Sequence, residues 1–174
     1  MMTVDGTDFW IPEPSPFDRK WFSHKFNHAA LRYEMALCIQ TGWIVWTNGP
    51  FCAGSHSDVK IFRAGLKREL DLYECVEVDR GYVGEMAFSR PDNHGGVRLW
   101  KQMKARVRAR HECVNGKLKE FNLLGTKYRN TKEFHSLFFK AIVSIVQSEI
   151  RRGGVTYQVE YRIKSSELVV DIGE

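Results

Sequence analysis

Three acidic residues carry the chemistry that this sequence offers. They are Asp5 in Val4-Asp5-Gly6-Thr7, Asp79 in Val78-Asp79-Arg80-Gly81, and Glu112 inside a strongly basic segment. Carboxylates brought together repel one another, which raises some of their pKa values unless a cation intervenes. Hard oxygen ligands of this kind suit magnesium or manganese, which keep several waters and bind through a few carboxylates plus substrate phosphates. Two such ions can activate an attacking hydroxyl and stabilise the leaving oxygen of an in-line phosphoryl displacement. Each acid also has a plainer reading. Asp5 and Asp79 both stand where an ordinary turn residue would, and Glu112 lies four residues after Arg108, the spacing of a helical ion pair.

The surroundings of Glu112 favour a phosphate-bearing partner. Between Arg98 and Lys119 there are eight basic residues and one acid, an excess larger than the net charge of +5 carried by the whole chain. A concentrated basic element is the electrostatic footprint of nucleic-acid binding. Lys101, Lys104, Arg106, Arg108, Arg110, Lys117 and Lys119 are therefore candidate phosphate contacts. A solvated helix face is the alternative, although such faces usually mix both signs.

Other chemistries find little support. Cys38, Cys52, Cys75 and Cys113 are scattered with no C-x-x-C pair, which argues against structural zinc and reads as reduced packing residues. The six histidines show no H-E-x-x-H spacing and read as structural. The most apolar window, Leu137 to Val146, is interrupted by Lys140 and is too short to span a bilayer. No basic stretch followed by an apolar one opens the chain, so neither a secretory leader nor a membrane partner is expected. With 174 residues, 43% hydrophobic and 27% charged, the chain should form a single domain over 1–174 with its own core.

The elements that must position the acids follow from periodicity. Val4, Phe9 and Ile11 predict a strand over Thr3 to Ile11, ended by Pro12 and Pro14. Leu31, Tyr33, Met35, Leu37 and Ile39 alternate with Arg32, Glu34, Ala36, Cys38 and Gln40, a period-two strand. Thr41-Gly42 turns it back into a strand over Trp43 to Thr47, which Asn48-Gly49-Pro50 should end. Val59, Phe62, Leu66 and Leu70 form the stripe of an amphipathic helix. A short strand over Cys75 to Val78 precedes Asp79. The basic segment is a second helix with Trp100, Met103, Val107, Val114 and Leu118 on its apolar side. Glu133 to Ile150 makes a third helix, and Thr156 to Ile163 a terminal strand. The order implies an α/β fold with a mixed sheet, three antiparallel strands and then a parallel strand, flanked by helices. Asp5 and Asp79 should end neighbouring strands and emerge at one sheet edge. Glu112 shares its helix side with Ala105, Ala109 and Gly116, small residues that should let this face approach other backbone closely.

Together these segments resemble the DDE endonuclease domain of Harbinger-type transposases. The likeness is carried by Val4-Asp5-Gly6-Thr7-Asp8-Phe9, by Gly49-Pro50 through Ser57-Asp58-Val59-Lys60-Ile61-Phe62-Arg63, and by Val78-Asp79-Arg80-Gly81-Tyr82. It also rests on Arg108-Ala109-Arg110-His111-Glu112-Cys113-Val114-Asn115 with Leu118-Lys119. The motifs run in the family's order from Val4 to about Tyr161. The resemblance implies a ribonuclease-H-like fold, a catalytic and metal-binding triad of Asp5, Asp79 and Glu112, and a magnesium or manganese cofactor. It implies nuclear localisation and double-stranded DNA, at transposon ends and target, as the substrate. A Myb-like DNA-binding partner protein and a homo-oligomer are compatible with it. Asp58 matches a recurrent family aspartate and is a candidate accessory acid or a helix N-terminal acid. Ser57 stands directly before it, where family members often carry histidine, and only four residues precede Asp5. The expected function is a metal-dependent DNA endonuclease and strand-transfer domain; the alternative is a catalytically inactive, truncated or domesticated remnant that binds DNA or protein.

Overall fold

The computed structural model describes residues 1–72, 74–89, 98–153 and 159, with backbone alone at 89 and 98–101. Strand β1 (Met2–Trp10) pairs antiparallel with β3 (His28–Cys38), in a register that sets Asp5 opposite Met35 and Asp8 opposite Arg32. The far edge of β3 is shared by the two-residue β2 (Phe22–Ser23) at its start and by β4 (Ile44–Cys52) over the rest. On its other side β1 pairs in parallel with β5 (Val76–Glu77), which in turn pairs with β6 (Phe88–Ser89). The expected mixed sheet, with antiparallel strands followed by a parallel one, is present.

The strands are buried on both faces. Odd residues of β1 and β3, including Phe9, Leu31, Tyr33, Met35 and Leu37, pack against α2 (Arg98–Glu120) and α4 (His135–Arg151) through Val114, Leu118, Phe139, Ile142 and Val146. Even residues Val4 and Ala36 pack on the opposite face with Phe62 of α1 (Asp58–Ala64), Leu66, Val76 and Val78. The polar side expected for the Leu31 strand is therefore a second interior. Its polar residues find partners there: Asp8 pairs with Arg32 at 2.7 Å, and Trp46 Nε1 donates to one carboxylate oxygen of Glu34 at 2.9 Å. A four-residue helix, α3 (Asn122–Gly125), links α2 to the loop before α4.

Several boundaries differ from the sequence expectation, each for a local reason. The hairpin at Gly42 forms, with φ of 73° there and Cys38 N–H donating to the Trp43 carbonyl. Its second strand does not stop at Asn48-Gly49-Pro50. The register skips between Arg32 and Glu34, so a bulge absorbs the extra residues and pairing resumes at Phe51. Gly49, at φ of 137°, leaves room that a Cβ would take from the Tyr33 ring. The predicted helix to Leu70 ends at Ala64, because Gly65 leaves helical geometry; Leu66 stays in the core from a following 3-10 turn. Cys75 and Cys113 are exposed and so are not packing residues, while Cys38 and Cys52 are half-buried. The predicted terminal strand over Thr156 to Ile163 lies outside the described residues apart from Val159, which is buried beside Ile39 and Val107. No helix among the described residues is long and apolar enough to cross a membrane.

Candidate active site

Asp5 does not end its strand. It is the fourth residue of the nine in β1, held in the ladder by Met35, and Gly6 makes no turn. What ends there is the parallel partner: β5 pairs only with Met2 and Thr3, leaving that edge of β1 open from Val4 onward. The chain leaves β5 through Val78 into Asp79, whose backbone turns as Tyr82 N–H donates to the Asp79 carbonyl. Asp5 and Asp79 thus meet at the opening where two parallel strands part.

Helix α2 lies across this opening and delivers Glu112. Two of its cations dock it. Lys104, 2% exposed, pairs with Glu77 of β5 at 3.3 Å, and Arg110, also 2% exposed, donates to the Cys38 carbonyl at 3.1 Å and to that of Ile39. Buried His111 completes the attachment, its Nδ1 hydrogen-bonded to Thr3 Oγ1 at 2.9 Å. Lys104 and Arg110 are therefore not phosphate contacts: a cation this deep is tolerated only when paired or hydrogen-bonded. Burial also holds His111 neutral, with its pKa lowered to about 3.

The three predicted acids line one cavity of about 340 Å³, together with Thr3, Lys25, Glu77, Arg108 and His111. Ala105 and Ala109 also line it, yet they are exposed, and a side chain at Gly116 would meet nothing within 4 Å. Small residues on this face leave the cavity open and do not draw α2 onto neighbouring backbone, as had been expected. A second cavity of about 220 Å³ adjoins the first and shares Asp5, Lys25 and Glu112 with it.

Burial dominates the electrostatics at Asp5. Burial raises the pKa of Asp5 to about 6, with Asp58 and Glu112 adding to the effect and Lys25 opposing it. Arg108 sits 3.7 Å from Asp79, both side chains substantially exposed, and not against Glu112. The helical ion pair proposed for Glu112 is thus not made. Among the described residues, no three histidine, cysteine or carboxylate side chains converge closely enough to hold an ion as they stand. The donor set nonetheless fits a hard divalent cation. It consists of oxygen ligands, Asp79 and Glu112 are exposed, Asp79 Oδ1 accepts from Arg80 N–H at 2.6 Å, and two buried atoms at the cavities, His111 Nε2 and Asn115 Oδ1, lack partners among the described residues.

Asp58 is placed elsewhere. It begins α1 on the other face of β1, 3.3 Å from Arg32, and does not line the cavity. Its carboxylate crowds the backbone of β1 at Gly6, where an added Cβ would overlap Asp58 Oδ1. The glycine after Asp5 is required by this approach. Of the remaining predicted phosphate contacts, Arg106 and Lys119 are exposed, Arg108 is partly exposed, Lys117 pairs with Glu120 at 3.1 Å, and the Lys101 side chain lies outside the described residues.

Lys25 escaped the sequence reading. It stands at the tip of the β2–β3 turn in no recognisable motif, and only the fold carries it to the acids. Ser23 fixes that tip: its carbonyl accepts from Phe26 and Asn27, and its hydroxyl donates to buried Asp8 at 2.5 Å. Thr3 and Glu77 were missed for the same reason, since each acts through a contact remote in sequence.

Comparison with known proteins adds one relationship. The chain is 26% identical, over an alignment of 164 positions, to a probable transposase for insertion sequence element IS702 from Microchaete diplosiphon. The alignment covers 86% of this chain and 57% of that protein, so the chain spans little more than half the length of the relative it matches. No family model and no solved structure matches it. At the level this comparison reaches, the chain is similar to a transposase over most of its length.

Proposed function

We propose that this chain is the catalytic domain of a DNA transposase, of ribonuclease-H-like fold and related to the Harbinger type. In this reading Asp5, Asp79 and Glu112 hold divalent metal ions. One observation carries it: three carboxylates from a strand, the turn after its parallel neighbour and a remote helix line a single cavity. The similarity to a transposase supports the same reading.

The chain's own residues divide the work. Asp5 is fixed by its strand, whereas Asp79 and Glu112 reach the same cavity from exposed positions on a turn and a helix. Arg108 and Lys25 face the same space and would orient a phosphate, Arg108 leaving a weak exposed pair with Asp79 to do so. The Lys104–Glu77 pair and the Thr3–His111 bond keep α2 in place beneath the reacting groups. Magnesium or manganese, when bound, would lower the pKa of an attacking water or 3′ hydroxyl and offset charge on the phosphate.

The test is manganese binding to the purified chain and to Asp79→Asn at equal folded concentration. Strong binding by the wild type and at least tenfold weaker binding by the variant is the expected result. A folded wild type that binds no manganese overturns the catalytic assignment. It would leave the second reading, a DNA-binding remnant without turnover, which the lack of three already converged ligands among the described residues favours.

A further inference from the structure

The basic helix does not supply the chain's most developed nucleic-acid surface. Two of its cations are consumed in docking it, and another is paired on the surface. A different set of residues, of which only Lys119 was marked in the sequence, forms a row of three rings flanked by cations, leading away from the acid cavity. The row begins in the adjoining cavity, walled by Lys25, Phe26, Asn115 and Lys119 beside Asp5 and Glu112. Lys119 Nζ lies 5.8 Å from the Phe26 ring. Phe26, 37% exposed, meets the exposed His28 edge-on at 6.2 Å, and His28 stacks on Trp10 at 4.5 Å with 16° between their planes. Lys127 stands 5.5 Å from the Trp10 ring. Trp10 then opens onto a third cavity, of about 570 Å³, with Asn122, Lys127, Arg129 and Asn130 and no acid in its lining.

Local structure holds this row in place. Trp10 ends β1, and its carbonyl accepts from Tyr128 N–H at 2.9 Å, pinning the loop that carries Lys127 and Arg129. The Asp8–Ser23 bond fixes the turn that carries Lys25 and Phe26. Every aromatic here is partly or fully exposed, although burial is where aromatic groups contribute most. Exposed rings interleaved with cations along a groove are what unpaired nucleotides bind: bases lie against the rings and phosphates meet the cations. A closed duplex keeps its bases stacked on one another and cannot use the rings.

We infer that the Phe26–His28–Trp10 row, with Lys119, Lys127 and Arg129, binds a single-stranded DNA segment continuous with the phosphate held at Asp5, Asp79 and Glu112. This rests on the transposase reading and deepens it: the substrate is a duplex with an unpaired flank at the cavity. The Lys127 contact to Trp10, at 5.5 Å, is a weak cation–ring contact, from which a phosphate can draw the ammonium off and free the ring.

The experiment measures binding of labelled DNA by the full chain without metal, comparing a blunt duplex with the same duplex bearing a short single-stranded tail. Wild type should bind the tailed duplex more tightly. Trp10→Ala should remove about five- to hundredfold of that affinity, the loss of one stacked base, while leaving the blunt duplex unchanged; Trp10→Phe should retain most of it. Circular dichroism establishes that each variant is folded, and His28→Ala provides an independent test if Trp10→Ala is not. Equal binding of tailed and blunt duplex by wild type overturns this inference and leaves the transposase reading standing. An equal loss on both duplexes in Trp10→Ala overturns it too, as does a tail preference for RNA over DNA. Failure of the wild type to bind any DNA overturns both.

Discussion

Glu34 shows what burial does to a single acid in this fold. It is 1% exposed, one carboxylate oxygen accepts from Trp46 and the other has no partner among the described residues. Burial, reinforced by the negative charge of Asp58, raises its pKa to about 7 from 4.5. The folded state therefore holds a proton that the unfolded state releases above pH 4.5. Its contribution to stability is full below pH 4.5 and is lost as the pH rises to 7, on the order of 3 kcal/mol in all. Glu34→Gln, which cannot ionise, should lose that much less stability between pH 4.5 and 7 than wild type does. Urea unfolding at both values measures it, and identical losses in the two proteins would show that Glu34 is ionised throughout. The cysteines teach the same lesson in reverse: nothing in their spacing separated the exposed Cys75 and Cys113 from the half-buried pair.

At the scale of elements, α2 is the piece on which the site depends, and its charges have two distinct uses. Lys104 and Arg110 point inward because the turn of the helix that carries Val107, His111, Val114 and Leu118 to the sheet carries them too. A sequence reading counts charge and cannot tell a cation that meets Glu77 across 27 residues from one that meets solvent. Removing one partner of a buried pair leaves the other charge uncompensated, at a cost of about 3–5 kcal/mol. Lys104→Ala should therefore lower stability by about that amount, and Lys104→Met with Glu77→Leu should recover much of it, because apolar replacement of both partners is well tolerated. Chemical denaturation of the three proteins decides. A single variant as stable as wild type would mean that the pair does not dock the helix.

For the whole molecule, cations accompany the acids and continue beyond them. Lys25 and Arg108 line the cavity of Asp5, Asp79 and Glu112, Lys119 lines the adjoining one, and Lys127 and Arg129 line a third that has no acid. DNA affinity should then fall linearly with the logarithm of salt concentration, each phosphate contact contributing a slope of about 0.9 for duplex and 0.7 for single strands. Lys127→Ala should reduce the slope on tailed duplex by about one contact's worth. Lys104→Ala, measured where it is folded, should leave the slope unchanged although it removes the same formal charge. A drop in slope with Lys104→Ala would place that side chain on the DNA after all.

Much of this protein was determined by its sequence alone. Period-two alternation set the Leu31 strand, Gly42 set the hairpin, and the apolar stripe set α2. The motif order singled out three acids, which the fold brings to one cavity. The strand, hairpin and helix are short-range properties, in which each residue's neighbours along the chain decide its state, whereas the three acids were singled out by the family resemblance. Tertiary structure decided the rest. It kept Asp5 in mid-strand and opened the cavity by ending β5 early. It turned Lys104 and Arg110 inward, placed Asp58 on the opposite face, and brought Lys25 to the acids. It also aligned Phe26, His28 and Trp10 into one row. Each of these depends on which strand lies beside which and which helix crosses them, pairings between residues far apart in the chain that no local pattern encodes.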